Sequence, residues 1–264
     1  MIPKRIGILI PSTNTSVEAD FQRLLRGGVT VHSERLFIPN GAMTEKSLDQ
    51  MNHDVAEKAA LLATARVDVI AYACTSGSFY RGTDWDEQIK TLIETRTGVR
   101  CITTSSAVRL AFNALDIHSV SVMTPYPEWT NDQLATYYAG LGIEISGVHG
   151  DTRAAATVHP AINDQEPEQI EQFALDHFDR DSQALFLSCT AWRALECVET
   201  LEASLTVPVV TSNQATIWAT LALVDSLAEA KPTGQLFSRT PVFGANSLHL
   251  PESVQVSTTR SYNA

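Results

Sequence analysis

The chain carries its organising element twice. An apolar run over residues 67–73 ends abruptly in Cys74-Thr75-Ser76, and a second over 184–188 ends in Cys189-Thr190. Each reads as a short buried strand that stops where a thiol and a hydroxyl residue open a loop. Two further pairs keep the same order and nearly the same spacing. Ile6-Gly7-Ile8-Leu9-Ile10-Pro11 corresponds to Val120-Ser121-Val122-Met123-Thr124-Pro125, and Cys101-Ile102-Thr103-Thr104-Ser105 to Val209-Val210-Thr211-Ser212-Asn213. Three ordered matches point to a duplicated half with one thiol in each copy.

Between these landmarks strands alternate with amphipathic helices. The first half reads as strand 5–10, helix 17–25 stopped by Gly27-Gly28, strand 29–37, one long helix 44–65 and strand 67–73. Loop 74–82, helix 84–95, strand 99–103 and helix 105–115 follow. The second half reads as strands 119–123, 143–148, 184–188 and 207–210, with helices 128–141, 165–178, 192–203 and 214–229. Such alternation, with the third strand (67–73) apolar but for Asp68, predicts an α/β fold with parallel sheets. The expected division is an N-terminal lobe over 1–116, a C-terminal lobe over 117–230 whose last helix crosses to the first, and an arm over 231–264, where Pro232, Gly234, Pro241, Gly244 and Pro251 break the helical pattern. Ligands of open α/β sheets bind beyond the carboxyl ends of the strands. Pro11, Cys74, Thr103, Pro125, Cys189 and Thr211 stand at those ends, so the site is expected in a cleft between the lobes.

A net charge of −11 argues against nucleic acid or an anionic membrane as partner, though not against a small anionic substrate. No run is long enough to span a bilayer, and residues 1–5 enter a strand without a signal-type apolar region. A cytoplasmic protein with four reduced cysteines is expected. Neither a C-x-x-C pair nor finger-like His spacing suggests a metal. No phosphate-loop or dinucleotide glycine pattern is present.

Two thiols flanking one carbon can do what one cannot. A thiolate is a strong nucleophile and a usable base, while its partner gives or takes a proton on the opposite face. The turns after both strands also turn backbone N–H groups toward the cleft, where they suit a carboxylate or the enediolate formed at its α-carbon. Such chemistry calls for no cofactor and no metal. Cys101, inside a strand, and Cys197, on an apolar helical face, read as buried packing residues. Cys74 and Cys189, at matched positions, read as catalytic. Asn14 and Tyr126 follow the matched prolines and could donate to a carboxylate from opposite lobes, although turn chemistry and packing explain them equally well. Asn163, before the second long helix, could enter the cleft as a polar ligand.

Pro11-Ser12-Thr13-Asn14-Thr15, Tyr72-Ala73-Cys74-Thr75-Ser76-Gly77-Ser78-Phe79, Thr124-Pro125-Tyr126, Ser188-Cys189-Thr190 and Pro208-Val209-Val210-Thr211-Ser212-Asn213 resemble the aspartate/glutamate racemase superfamily. Within it, the similarity is to the maleate cis–trans isomerase and arylmalonate decarboxylase branch, over residues 5–225. The resemblance implies two Rossmann-like pseudo-symmetric lobes, cofactor-independent chemistry and a homo-oligomer, dimer or tetramer. Carried over by position, Cys74 would add to the alkene of maleate and Cys189 would act as acid and base. Asn14, Tyr126 and Asn163 would hold the carboxylates, with Thr75, Ser76 and Thr190 as further donors.

Ser78-Phe79-Tyr80-Arg81-Gly82 also looks like the decarboxylase's loop. That enzyme, however, has glycine at the position of Cys74 and two glycines where this chain has Thr190-Ala191. Both departures favour a two-thiol isomerase of a small carboxylate. An arylmalonate-type decarboxylase using Cys189 alone and a racemase using the same thiol pair stand as alternatives, and a two-lobed binding protein as a non-enzymatic one. Phe79, Tyr80 and Trp192 are expected to enlarge or screen the pocket.

Overall fold

The structure, a computed structural model, describes residues 3–39, 43–151, 153 and 160–244. Among the described residues eight strands form two four-stranded sheets, every neighbouring pair parallel. The first holds β1 (Lys4–Pro11), β2 (Val29–Leu36), β3 (Val69–Tyr72) and β4 (Cys101–Thr103), and the second β5 (Ser119–Thr124), β6 (Glu144–Gly150), β7 (Ala184–Leu187) and β8 (Val209–Thr211). Their orders are β2-β1-β3-β4 and β6-β5-β7-β8. The two sheets thus have the same topology, with equivalent registers: Leu9 opposes Tyr72 as Met123 opposes Leu187. This is the α/β architecture expected of a duplicated sequence.

Residues of the inner strands are buried on both faces, as helices cover both sides of each sheet. Gly7 shows how closely they approach. A methyl group there would stand 2.7 Å from Leu62 Cδ2, so the helix carrying Leu62 lies directly on β1. In both sheets the chain starts a central strand, adds one neighbour, then crosses to the other side. That reversal falls between β1 and β3, and again between β5 and β7. Their carboxyl ends, at Pro11, Cys74, Tyr126 and Cys189, are where such sheets leave a crevice.

Several elements differ from expectation. The long helix over 44–65 is two, Glu45–His53 and Val55–Ala63, broken at Asp54. Asp54 departs from helical geometry (φ −101°, ψ 10°) and its carboxylate meets His53 Nδ1 at 2.6 Å. A short acid favours such local bonding over the helix ladder. Each piece then turns its own stripe inward, Leu48 and Met51 in one, Val55, Ala59 and Leu62 in the other. The expected loop after Cys74 contains a short helix, Thr75–Phe79. A 3₁₀ turn, Ala194–Cys197, precedes the helix Val198–Leu205. The helix expected over 214–229 runs from Ser212 to Leu223, opened by a capping box between Thr211 and Gln214.

The helices Thr104–Leu115 and Ser212–Leu223 join the halves, with Thr216 Oγ1 donating to Thr104 Oγ1 at 3.1 Å. Residues 231–244 lie on the body. Gln214 Nε2 donates to the Thr233 carbonyl, Trp218 Nε1 donates to that of Arg239, and Leu236 is fully buried. The rest of the expected arm lies outside the described residues. Among the described residues no helix is long and apolar enough to cross a membrane.

Candidate active site

Cys74 leaves β3 in an extended conformation (φ −145°, ψ 109°) and caps the short helix after it. Its Sγ accepts from the Gly77 N–H at 3.4 Å, doing with sulfur what a cap hydroxyl does with oxygen. Cys189 follows β7 in the same place, and its carbonyl accepts from the Trp192 N–H. Both thiols reach one cavity from opposite halves, together with Thr75, Ser76, Thr190 and Asn14. Ile38, Met43, Leu48 and Ile162 form an apolar wall. The enclosed space is small, about 20 Å³, on a scale where one water needs roughly 10–15 Å³.

Burial pushes Cys74 up to about 11, opposed by the Gly77 N–H and by the Ser76 and Tyr72 hydroxyls. Cys189 is pushed up to about 12, again by burial, opposed by the Ala191 N–H and the Tyr126 hydroxyl. Each thiolate would also repel the other across the gap. At rest both are neutral thiols.

The polar residues are held by bonds across the two halves. Asn14 Oδ1 accepts from the N–H groups of Ser16 and Val17, which starts the helix Ser16–Leu24. Its Nδ2 donates to Thr190 Oγ1 at 3.2 Å. The turn residue and the cleft donor are thus one side chain. Thr75 Oγ1 donates to Ser212 Oγ, and Ser76 Oγ stands 3.9 Å from Cys74 Sγ. Tyr126 is fully buried behind the wall, its hydroxyl beside the Cys189 thiol and the Thr75 side chain. Asn163 is turned elsewhere: Oδ1 accepts from the Thr15 N–H and Nδ2 donates to the Thr13 carbonyl, so it clamps the 13–16 turn while its neighbour Ile162 lines the cavity.

The aromatic residues expected to screen the pocket stand behind it. Phe79 packs edge-on against Tyr126 at 6.3 Å. Tyr80 donates to Asp49 Oδ1, and Trp192 Nε1 to Gln165 Oε1. The burial that withdraws them gives the pocket its apolar backing.

Asp20 and Asn213 were invisible in the sequence as a pair. Asn213 Nδ2 donates to Asp20 Oδ2 at 2.7 Å and to the Thr190 carbonyl at 3.0 Å, tying the Cys189 loop to the helix Ser16–Leu24. Burial raises Asp20 to about 7 against the pull of Asn213 and Arg23. Cys101 and Cys197 lie outside the cavity, Cys197 Sγ donating to the Pro167 carbonyl. A larger cavity of about 210 Å³, at the β4 edge beside Lys90, Arg109 and Asn113, holds none of the donors just described. No group of three or more His, Cys, Asp or Glu among the described residues could hold a metal ion.

The arrangement offers two opposed sulfurs, neutral hydroxyl and amide donors and, among the described residues, no charged side chain in the wall. It can add a nucleophile to one face of a small carboxylate and move a proton on the other. Comparison with known proteins agrees. Arylmalonate decarboxylase of Bordetella bronchiseptica is 28% identical over 244 residues, 88% of this chain and 95% of that one. Maleate isomerase of Nocardia farcinica is 25% identical over 88% of this chain and 95% of that one. Among solved structures, a glycine-to-cysteine, cysteine-to-serine double mutant of arylmalonate decarboxylase in its liganded form superposes with a TM-score of 0.80 at 26% identity, covering 89% of this chain and 98% of that chain. Maleate isomerase of Pseudomonas putida S16 with maleate gives 0.81 at 24% identity, over 89% and 97%. The family model described as arylmalonate decarboxylase matches residues 6–237, and the chain belongs to that family.

Proposed function

We propose that the protein is a two-cysteine isomerase of a small dicarboxylate, converting maleate to fumarate. One observation carries the reading: Cys74 and Cys189 enter one cavity from opposite halves. Cys74 first loses its thiol proton to solvent; the thiolate then forms a C–S bond to one alkene carbon, and the π pair moves to the other carbon and its carboxylate as an enediolate. The Cys189 S–H protonates that carbon, leaving a saturated adduct on Cys74 and a thiolate at Cys189. The former double bond is now single and rotates. Cys189 then removes a proton from the same carbon, the C–S bond breaks, and fumarate leaves. Asn14, Thr75, Ser76 and Thr190 donate to the carboxylates, and Tyr126 holds the sulfur of Cys189.

Neutral donors suit this role. They hold a dianion and follow its charge into the enediolate, whereas a lysine would bind substrate and intermediate alike. A cysteine-to-serine mutant of Nocardia farcinica maleate cis–trans isomerase, of the same fold, holds a covalently bound succinylcysteine intermediate, the adduct this route requires.

The second reading is decarboxylation of an arylmalonate, with Cys189 protonating the enediolate left when CO₂ departs. The family model and the 28% identical relative favour it. The presence of Cys74 favours the isomerase. We read the enzyme further as two lobes, 1–116 and 117–230, with an arm over 231–264, in a cytoplasmic homo-oligomer without a nucleic-acid or membrane partner, on its sequence repeat, its charge of −11 and its family.

The test is incubation of the reduced protein with maleate in D₂O, followed by proton NMR, beside an arylmalonate control. Fumarate that disappears in both Cys74→Ala and Cys189→Ala supports the isomerase. Product from the arylmalonate alone, retained in Cys74→Ala, supports the decarboxylase.

A further inference from the structure

Both halves end a strand in a cysteine, yet they hold the two thiols differently. The turn after Cys74 is a short helix that ties itself. The Ser78 N–H donates to the Cys74 carbonyl at 3.2 Å, and the Tyr80 N–H to the Ser76 carbonyl at 3.1 Å. Among the described residues the turn after Cys189 makes one such bond, from the Trp192 N–H to the Cys189 carbonyl at 3.3 Å. Its next two carbonyls are held by side chains from outside the turn. That of Ala191 accepts from Ser16 Oγ at 2.8 Å, and that of Thr190 from Asn213 Nδ2 at 3.0 Å. Cys189 moves the proton in both readings of the function, and the roles assigned below to Asp20 and Asn213 rest on that.

The amide of Asn213 has one workable orientation. Its nitrogen meets two acceptors, the Thr190 carbonyl and, at 2.7 Å, Asp20 Oδ2. Turned end for end, the amide oxygen would face both of those oxygens. A carbonyl has no hydrogen to give, and an ionised carboxylate has none either. Asn213 Oδ1 is buried with no partner among the described residues, so the two donations alone orient the side chain. Each N–H hydrogen has its own acceptor, and Asp20 fixes the direction in which the second reaches Thr190. A trans peptide is planar, with its C=O and N–H pointing opposite ways. Drawing the Thr190 carbonyl toward Asn213 therefore fixes the Ala191 N–H on the other side of the turn. Drawing the Ala191 carbonyl toward Ser16 likewise fixes the Trp192 N–H, which closes on Cys189.

We propose that Asp20, acting through the Asn213 amide, holds the Cys189-Thr190-Ala191 turn in the position from which Cys189 delivers its proton. Cys189, Thr190 and Ala191 line the cavity, whereas Asp20 and Asn213 stand behind it, so both are positioning residues. Ser16 and Asp20 lie one turn apart on the helix Ser16–Leu24. One face of a helix from the first half thus holds the thiol turn of the second. The Cys74 turn, tied by its own helix, does not depend on that face.

The test is backbone hydrogen exchange, read by mass spectrometry on the full chain at pH 8, in wild type, Asp20→Asn, Asp20→Leu and Asn213→Ala. Steady-state kinetics accompany it, on whichever of maleate and the arylmalonate the wild type turns over. Asp20→Asn and Asp20→Leu both lose the charge, and only the first keeps an acceptor for Asn213. In Asp20→Leu and Asn213→Ala the peptide spanning 189–192 should exchange at least about tenfold faster than in wild type, with the peptide spanning 75–80 unchanged. Their kcat should fall about tenfold with KM within about threefold of wild type. Asp20→Asn should exchange no faster than wild type and keep its kcat. Exchange at 189–192, or kcat, within about twofold of wild type in Asp20→Leu overturns the proposal. Equal quickening of both peptides overturns it as well, because general loosening moves them together. So does an Asp20→Asn protein as impaired as Asp20→Leu, since charge and not the bond would then matter. Exchange needs no substrate, so failure of the wild type to turn over maleate sinks the isomerase reading and leaves this result standing.

Discussion

Asn14 and Thr190, 176 positions apart, meet across the duplicated halves in one hydrogen bond from Asn14 Nδ2 to Thr190 Oγ1. The same amide's oxygen starts the helix Ser16–Leu24. Asn14→Ala should remove both functions, costing about 0.5–2 kcal/mol of stability through the lost cap. Asn14→Asp keeps the acceptor but sets a negative charge against a dianionic substrate. KM should rise at least about tenfold, and the buried carboxylate, like that of Asp20, should lower the melting temperature at pH 8 but not at pH 4. Steady-state kinetics and thermal unfolding of the two variants separate helix start from substrate contact.

Gly77 sits over a crowded point. A methyl group would meet Tyr72 Oη at 2.3 Å, Met51 Cε at 2.8 Å and Cys74 Sγ at 3.0 Å. Overpacking of this kind costs about 1–3 kcal/mol, more than the roughly 1 kcal/mol of helix propensity that alanine regains. Gly77→Ala should therefore unfold at lower denaturant and lose most turnover, since the groups it crowds include the Cys74 sulfur. Urea titration with a parallel assay would show both.

The thiols carry a pH signature. Their folded values, about 11 and about 12, lie above the ordinary 9.0. The protonated forms are therefore favoured by folding. That stability is complete below about pH 9 and is lost as pH rises through 11 and 12. The nucleophilic Cys74 thiolate grows tenfold per unit over the same approach, while Cys189 keeps the proton it must give. kcat/KM, which reports the free enzyme, should climb with unit slope from about pH 7 to 10 without a descending limb. A plateau beginning near pH 7 would count against these assignments.

The strand ends, the repeat and the two thiols were legible because buried parallel strands leave unbroken apolar runs, and the Cys-Thr pair marks where they stop. The break at Asp54 was not. Residues 44–65 keep a helical period through it, and only packing shows that the two pieces face different ways. The short helix after Cys74 was hidden because its cap is a sulfur and its residues are Ser and Gly. The apolar wall of Ile38, Met43, Leu48 and Ile162 comes from separate stretches that only the tertiary fold unites. The chemistry of Asn163 alone suits a cleft ligand, but the carbonyl and N–H groups of the 13–16 turn claim its amide.

Asp20, raised to about 7 by burial, makes a second pH dependence of known sign. A carboxyl with a raised folded value contributes stability below about pH 4 and loses it progressively toward pH 7. Asp20→Asn keeps an acceptor for Asn213 and never ionises. It should be more stable than wild type at pH 8 by about 1–4 kcal/mol, with the difference vanishing near pH 4. Urea midpoints at the two pH values measure it.

The central claim is that Cys74 bonds to the substrate and Cys189 moves the proton. Its most direct test is the Cys189→Ser protein, mixed with maleate, quenched in acid and mapped by peptide mass spectrometry. The account predicts one added maleate on the peptide containing Cys74, with little fumarate released. Wild-type turnover of maleate with no adduct in the variant, or an adduct on any other residue, would contradict it.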